Sequence, residues 1–170
     1  MEGSLVMGVE VIDKFLPEEE FKSIQSSMMD SFIPWYYNEC LRGGSSGYQF
    51  THMFYDERPP HHGAASSHFK MYESSLIKLG AKHLHRIKAN LNPKTLFKRD
   101  TGYHTDHDDE GWTSAVLYIN TNNGGTKFRS GKFVKSVENR MVVFDSNLVH
   151  AGMTCTNENT RVLVNFIYKK

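Results

Sequence analysis

The hydrophobic pattern of this chain changes period at Gly80, and that change restricts the folds open to it. Before Gly80, apolar residues recur twice at helical spacing. Phe21, Ile24 and Met28 follow Pro17 and the acidic run Glu18, Glu19 and Glu20, an order suited to a helix N-terminus. Phe69, Tyr72, Leu76 and Leu79 predict a second helix over 67–79, ended by Gly80. After Gly80, short apolar or alternating runs separated by turn signals predict strands at 84–91, 96–99, 112–120, 127–128, 132–134, 140–145, 150–155 and 161–168. Two further runs, 9–15 and 48–55, read as strands ahead of the switch. Helices first and many short strands afterwards predict a mainly β fold with some α. Its expected form is a double-sheet jelly roll (a double-stranded β-helix) with flanking N-terminal helices. A length of 170 residues suits one domain, with helical and loop-rich support over 1–83 and the jelly-roll core over 84–170.

The residues that carry chemistry are concentrated in Tyr103-His104-Thr105-Asp106-His107-Asp108. On an extended strand, a His and an Asp one residue apart face the same way. Two registers compete for that role, His104 with Asp106 and His107 with Asp109. Imidazole nitrogen and carboxylate oxygen together suit Fe(II) when another His completes the set, and such a centre keeps open coordination positions. His150, in Asn147-Leu148-Val149-His150-Ala151-Gly152, is the candidate third ligand. Arg161 adjoins the apolar run Val162-Leu163-Val164. A cation in such a strand calls for an anionic partner, which a dicarboxylate would supply. The plainer reading of the hexapeptide alone is an acidic turn with two exposed histidines.

Together these residues resemble the iron(II)- and 2-oxoglutarate-dependent dioxygenases, in particular the prolyl-hydroxylase-like branch and its short, phage-type members. The stretch Ser114-Ala115-Val116-Leu117-Tyr118-Ile119-Asn120, followed by Asn123-Gly124-Gly125-Thr126-Lys127-Phe128, is similar to that family's strand and glycine turn. The segment 134–145 resembles its aliphatic strand ending in Phe-Asp, and Thr160-Arg161-Val162-Leu163-Val164-Asn165-Phe166 resembles its last core strand. The resemblance covers 84–170 and implies His104, Asp106 and His150 as iron ligands, since Tyr103 matches the aromatic that precedes the family's ligand His. It implies Arg161, with Tyr118, on the far carboxylate of 2-oxoglutarate. It further implies O2 as co-substrate, admits ascorbate as an accessory, and makes succinate and CO2 the co-products of hydroxylation. The carboxylate Asp106 points away from halogenation, because halogenating members lack that ligand. Two departures stand out. Leu163 replaces a Ser found in many relatives, though not in this branch, and Asn165 is available on the same strand face as Arg161. Leu96 and Phe97 lie where relatives often carry a Tyr near the iron-chelating end of the co-substrate, leaving Asn90 or Asn92 to substitute. The branch suggests peptidyl proline as substrate. The alternatives are the same chemistry on a nucleobase or small metabolite, a cupin-like metalloenzyme independent of 2-oxoglutarate, and a non-catalytic jelly-roll binding module.

The rest of the chain excludes more than it suggests. Twenty basic against nineteen acidic residues give a formal net charge of +1, so no overall field draws the chain to nucleic acid or membrane. Lys127, Arg129, Lys132 and Lys135 read as a solvated strand edge rather than a nucleic-acid patch. No apolar run approaches a membrane span and no signal-peptide pattern opens the chain, so a cytoplasmic location is expected. Cys40 and Cys155 lack metal or redox spacing and read as two free thiols. Gly43, Gly44 and Gly47 predict a mobile loop over 41–47, and Pro59-Pro60 with His61-His62 predict another over 58–65, its histidines solvated. Substrate contacts are expected from 35–62 and from Trp112, which could equally pack on the core as a rim residue.

Overall fold

The computed structural model describes residues 8–30, 32–39 and 47–170. Cys40 and all of the expected 41–47 loop except Gly47 lie outside them.

Two antiparallel sheets face one another. The major sheet runs β1 (Val9–Ile12), β9 (Arg140–Asp145), β6 (Thr113–Tyr118), β11 (Thr160–Lys169), β5 (His83–Pro93), β3 (Gln49–Asp56) and β2 (Tyr36–Asn38), with the two-residue β4 (Gly63–Ala64) paired to β3. The minor sheet runs β10 (His150–Met153), β7 (Gly125–Phe128) and β8 (Phe133–Lys135). This is the jelly-roll arrangement that the switch to short strands predicts.

Strand alternation separates two cores. On β11, Val162, Val164, Phe166 and Tyr168 face outward from the pair of sheets, joined by Ile87 and Ala89 of β5 and by Ala115 and Leu117 of β6. Helix α1 (Glu18–Met29) covers this face with Phe21, Ile24 and Met28, the stripe legible in the sequence. Between the sheets, Val116, Tyr118, Phe128, Val142, Phe144 and Leu163 fill a second, smaller core. The same inward face of β5 carries Arg86, Lys88, Asn90 and Asn92, and there the space between the sheets remains a cavity.

Several expectations are corrected. Residues 67–79 do not form one α-helix: Ser67–Tyr72 is a 3-10 segment and Glu73–Leu79 is helix α2. Three residues per turn stacks Phe69 and Tyr72 on one line, which carries both toward the outer core. The Ser66 hydroxyl caps the 3-10 segment by accepting from the His68 N–H, and left-handed Gly80 ends α2. Residues 96–99 form no strand. Pro93 closes β5, and Leu96 and Phe97 stand 88 % and 75 % exposed in a surface crossing. The segment 1–83 is not merely helical and loop-rich support, because β1 to β4 pair into the major sheet. The three-residue β2 was too short to announce itself in sequence.

Cys155 is buried and free, its thiol donating to the Glu158 carbonyl at 3.3 Å. Burial pushes that thiol's pKa up, which disfavours the nucleophilic thiolate. His61 and His62 are exposed, as expected of a solvated loop. Among the described residues, no helix is long and apolar enough to cross a membrane.

Candidate active site

The site begins with one backbone contact. His104 and His150 exchange both backbone hydrogen bonds, each N–H donating to the other's carbonyl at 2.9 Å. That bridge sets two histidines 46 residues apart in sequence directly opposite one another, with ring centroids 4.6 Å apart. The Asp106 N–H donates to the Ser146 carbonyl at 2.9 Å, anchoring the carboxylate's segment beside the turn between β9 and β10. One ligand atom each from His104, Asp106 and His150 then lie within 4.8 Å of one another.

Neighbours fix how each side chain is presented. His104 Nδ1 lies 3.0 Å from the Gly102 carbonyl, and His150 Nδ1 lies 2.8 Å from the Leu148 carbonyl. A carbonyl only accepts, so each Nδ1 carries a proton, and in the neutral ring each Nε2 offers its lone pair. These two Nε2 atoms stand 3.8 Å and 3.6 Å from the Asp106 carboxylate. Asp106 Oδ2 accepts from Ser114 at 2.8 Å and from Asn165 at 3.0 Å, which leaves Oδ1 as its less engaged oxygen. Burial of this carboxyl favours its neutral form. The charges of His150 and Arg86 and the Ser114 hydrogen bond outweigh that, holding its pKa below the usual carboxylate value.

Arg161 lies in the same cavity, directly across from Asn92 in the strand register, and is only 2 % exposed. One guanidinium nitrogen donates to Asn92 Oδ1 at 3.2 Å, and its buried Nε has no partner among the described residues. Burial pulls its pKa down from the ordinary arginine value. A buried cation with donors to spare fits an anion, because planar N–H pairs match a carboxylate.

The glycine turn makes this arrangement possible. A Cβ on Gly124 would lie 2.5 Å from the Met153 carbonyl oxygen and 2.9 Å from Arg161 Cδ. Gly124→Ala is therefore expected to cost about 1–3 kcal/mol of stability through overpacking against the backbone. A thermal melt should show it as a drop of several degrees, and an unchanged Tm would contradict the close approach.

Tyr118 lies beneath Arg161, its ring centroid 5.6 Å from the guanidinium carbon. Its hydroxyl donates to Thr126 Oγ1 at 2.7 Å, with the Val134 carbonyl at 3.3 Å. Thr126, which no sequence signal singles out, lines the cavity. Asn165 is turned to Asp106 rather than to Arg161.

The competing register is turned elsewhere. The His107 ring stacks on Trp112 at 4.7 Å and meets His85 at 5.0 Å, away from the cavity lining. Trp112 is buried among His83, His85, His107 and Lys169, a packed rim residue that does not line the cavity. From 35–62, Asn38 and Gln49 do line it. Arg86 and Lys88 also line it, and sequence reasoning missed them. The signal was present: polar residues at every second position of β5, opposite Ile87, Ala89 and Leu91.

No family model matches the chain, and no curated protein sequence matches it. Solved structures do. A 2OG-Fe(II) oxygenase family oxidoreductase from Burkholderia pseudomallei superposes with a TM-score of 0.73 at 14 % identity, covering 95 % of this chain and 85 % of that one. A Pseudomonas putida prolyl-4-hydroxylase gives 0.65 at 15 % identity, covering 96 % and 93 %. HygX from Streptomyces hygroscopicus, solved with nickel, 2-oxoglutarate and hygromycin B, gives 0.59 at 12 % identity, covering 95 % and 82 %. At these identities the likeness is one of fold: the chain has the jelly-roll fold of 2-oxoglutarate oxygenases.

Proposed function

We propose that the chain is an Fe(II)- and 2-oxoglutarate-dependent dioxygenase that hydroxylates a C–H bond, with succinate and CO2 as co-products. One observation carries the reading: two imidazole Nε2 atoms and a carboxylate converge in the cavity that also holds the buried guanidinium of Arg161. Two His and one carboxylate are the donor set suited to non-haem Fe(II) with positions left open, so the residues present fit the ion. The deep burial of Arg161 and an Nε with no partner among the described residues fit a diacid.

Iron and 2-oxoglutarate, when bound, would supply oxidation by O2 coupled to decarboxylation of the keto acid. The chain's own residues orient and enclose the reactants. His104 and His150 would hold the metal through Nε2, because Nδ1 of each is committed to a carbonyl. Asp106 would hold it through Oδ1 and balance one positive charge, while Ser114 and Asn165 fix the carboxylate's rotation. Arg161 would take the far carboxylate of 2-oxoglutarate. The Tyr118 hydroxyl donates to Thr126, whose own hydroxyl proton would then be available to that carboxylate, so Thr126 would act beside Tyr118. Asn92 accepts from Arg161, so it would stand at the far-carboxylate end of the co-substrate rather than at the iron-chelating end, where relatives often carry a tyrosine.

Peptidyl proline is the substrate suggested by the likeness to prolyl-4-hydroxylase. A small metabolite is the second reading, in the manner of HygX with hygromycin B. The charged wall of Arg86 and Lys88 favours it over a neutral prolyl ring.

Anaerobic titration with Fe(II) and 2-oxoglutarate tests the chemistry. A visible charge-transfer band of the chelate is expected in the wild type and is expected to vanish in His150→Ala. A wild type without the band would overturn the reading. Comparing a proline-containing peptide with free small molecules as stimulants of succinate formation then separates the two substrates.

A further inference from the structure

We infer that the solvent face of the minor sheet docks single-stranded nucleic acid, its phosphates met by lysine and arginine and its bases stacked on exposed rings. The inference goes beyond the dioxygenase reading and does not depend on it.

Side chains alternate across β7 and β8. Thr126 lines the cavity, and Phe128 and Val134 enter the smaller core. Lys127, Phe133 and Lys135 therefore turn outward, and all three are exposed. The helices pack on the major sheet, which leaves this outer face to solvent. On the other side of β10, a preceding segment extends the minor sheet. The Thr101 N–H donates to the Gly152 carbonyl at 2.8 Å, and Asp100 pairs with Met153. Along the sequence, the cations of β7 and β8 lack an aromatic series. The fold supplies one by bringing this segment alongside. Lys98 Nζ lies 5.9 Å from the centre of the Phe133 ring, and the Arg129 guanidinium carbon lies 5.9 Å from the centre of the Tyr103 ring.

Charge here is one-sided. Residues 98–103, 125–129, 133–135 and 150–153 contain five cations, Lys98, Arg99, Lys127, Arg129 and Lys135, against one carboxylate, Asp100. None of the five forms an ion pair among the described residues. Lys132 is engaged at the sheet edge, donating to the Val9 carbonyl at 3.0 Å, and is not counted with them. Lys127 and Arg129 are two residues apart, about 7 Å along the strand, as are Phe133 and Lys135. Cations thus recur at intervals that a flexible polyanion can follow.

Phe133 is held as a platform. A Cβ on Gly125 would lie 2.7 Å from its Cζ and 2.9 Å from its Cε2, so the ring occupies the place of a side chain there. Phe133 is still 44 % exposed, and Tyr103 36 %. Phe97, in the crossing that delivers Lys98, is more exposed than either. Rings left open among cations stack bases of any sequence. An acidic peptide would use the cations and have no need of the rings, which is why nucleic acid is favoured.

Fluorescence anisotropy of a labelled oligothymidylate with the intact chain tests this. A dissociation constant of about 1–100 µM at physiological salt is expected. Four phosphate contacts, from Lys98, Lys127, Arg129 and Lys135, predict a log–log salt slope of about −3. The Lys127→Gln, Lys135→Gln double variant should flatten that slope by about 1.4. Phe133→Leu should weaken binding roughly fivefold to 100-fold with the slope unchanged. Phe133→Tyr, which keeps the ring, should bind as the wild type does. A wild type without salt-dependent binding overturns the inference, as does undiminished affinity in Phe133→Leu. A labelled oligoglutamate bound as tightly, with no dependence on Phe133, would make the face a site for acidic protein segments and overturn it too.

Discussion

Asp106→Ala is expected to weaken Fe(II) binding by more than about 100-fold, beyond the roughly 10–100-fold typical of losing a hydrogen-bonding neighbour of a metal ligand. Asp106 is the one anionic donor of the triad, and its side chain is only 6 % exposed. Its loss would leave two neutral imidazoles and strip Ser114 and Asn165 of their shared acceptor. Metal titration followed by the chelate's visible band measures the first effect, and near-wild-type Fe(II) affinity would remove Asp106 from the site. Stability should respond with a definite sign. Because the folded-state pKa is depressed, the ionised carboxylate stabilises the fold above the ordinary carboxylate pKa. That contribution is lost as pH falls through the folded value. Metal-free melts should therefore show a wild-type advantage over Asp106→Ala at neutral pH that narrows on acidification.

Arg161→Met separates function from stability most sharply. Removing one partner of a desolvated, hydrogen-bonded charge pair costs about 2–5 kcal/mol of binding, or roughly 30-fold to several-thousand-fold in 2-oxoglutarate affinity. The fold should not suffer equally. In the free protein the guanidinium is buried, donates to Asn92, and has no partner for its Nε among the described residues. Replacing such a cation with an apolar side chain of similar length is often neutral or stabilising. The expected result is a Tm at or above that of the wild type, with the 2-oxoglutarate titration shifted by about two orders of magnitude. A collapsed Tm with affinity retained would make Arg161 structural instead. Arg161→Lys should not restore full affinity, because an ammonium cannot reproduce the planar fork.

The candidate site was legible in part because metal chemistry dictates residue types and a strand dictates spacing. His104 and Asp106 are one residue apart, and His150 and Arg161 follow in order along the chain. The choice between His104 with Asp106 and His107 with Asp109 was not fixed by spacing, since both obey it. What decides it is the His104–His150 bridge, against which His107 turns back to stack on Trp112. The tautomers were equally out of reach, because the carbonyls that set them belong to Gly102 and Leu148 and act only once the backbone is folded. Arg86 and Lys88 passed unnoticed because charge at every second strand position is usual for a solvated face. Only the second sheet turns that face into a cavity wall.

From its sequence alone the chain determined its periodicities, hence short antiparallel strands behind an amphipathic helix, and the donor types of a candidate metal centre. Those are local properties, written in the spacing of side chains along helix and strand. The tertiary structure decided which histidine faces which, which oxygen of Asp106 is taken up by Ser114 and Asn165, and that 96–99 crosses the surface outside both sheets. Each of these depends on groups distant in sequence meeting across two sheets, and periodicity along one strand carries no information about its neighbour.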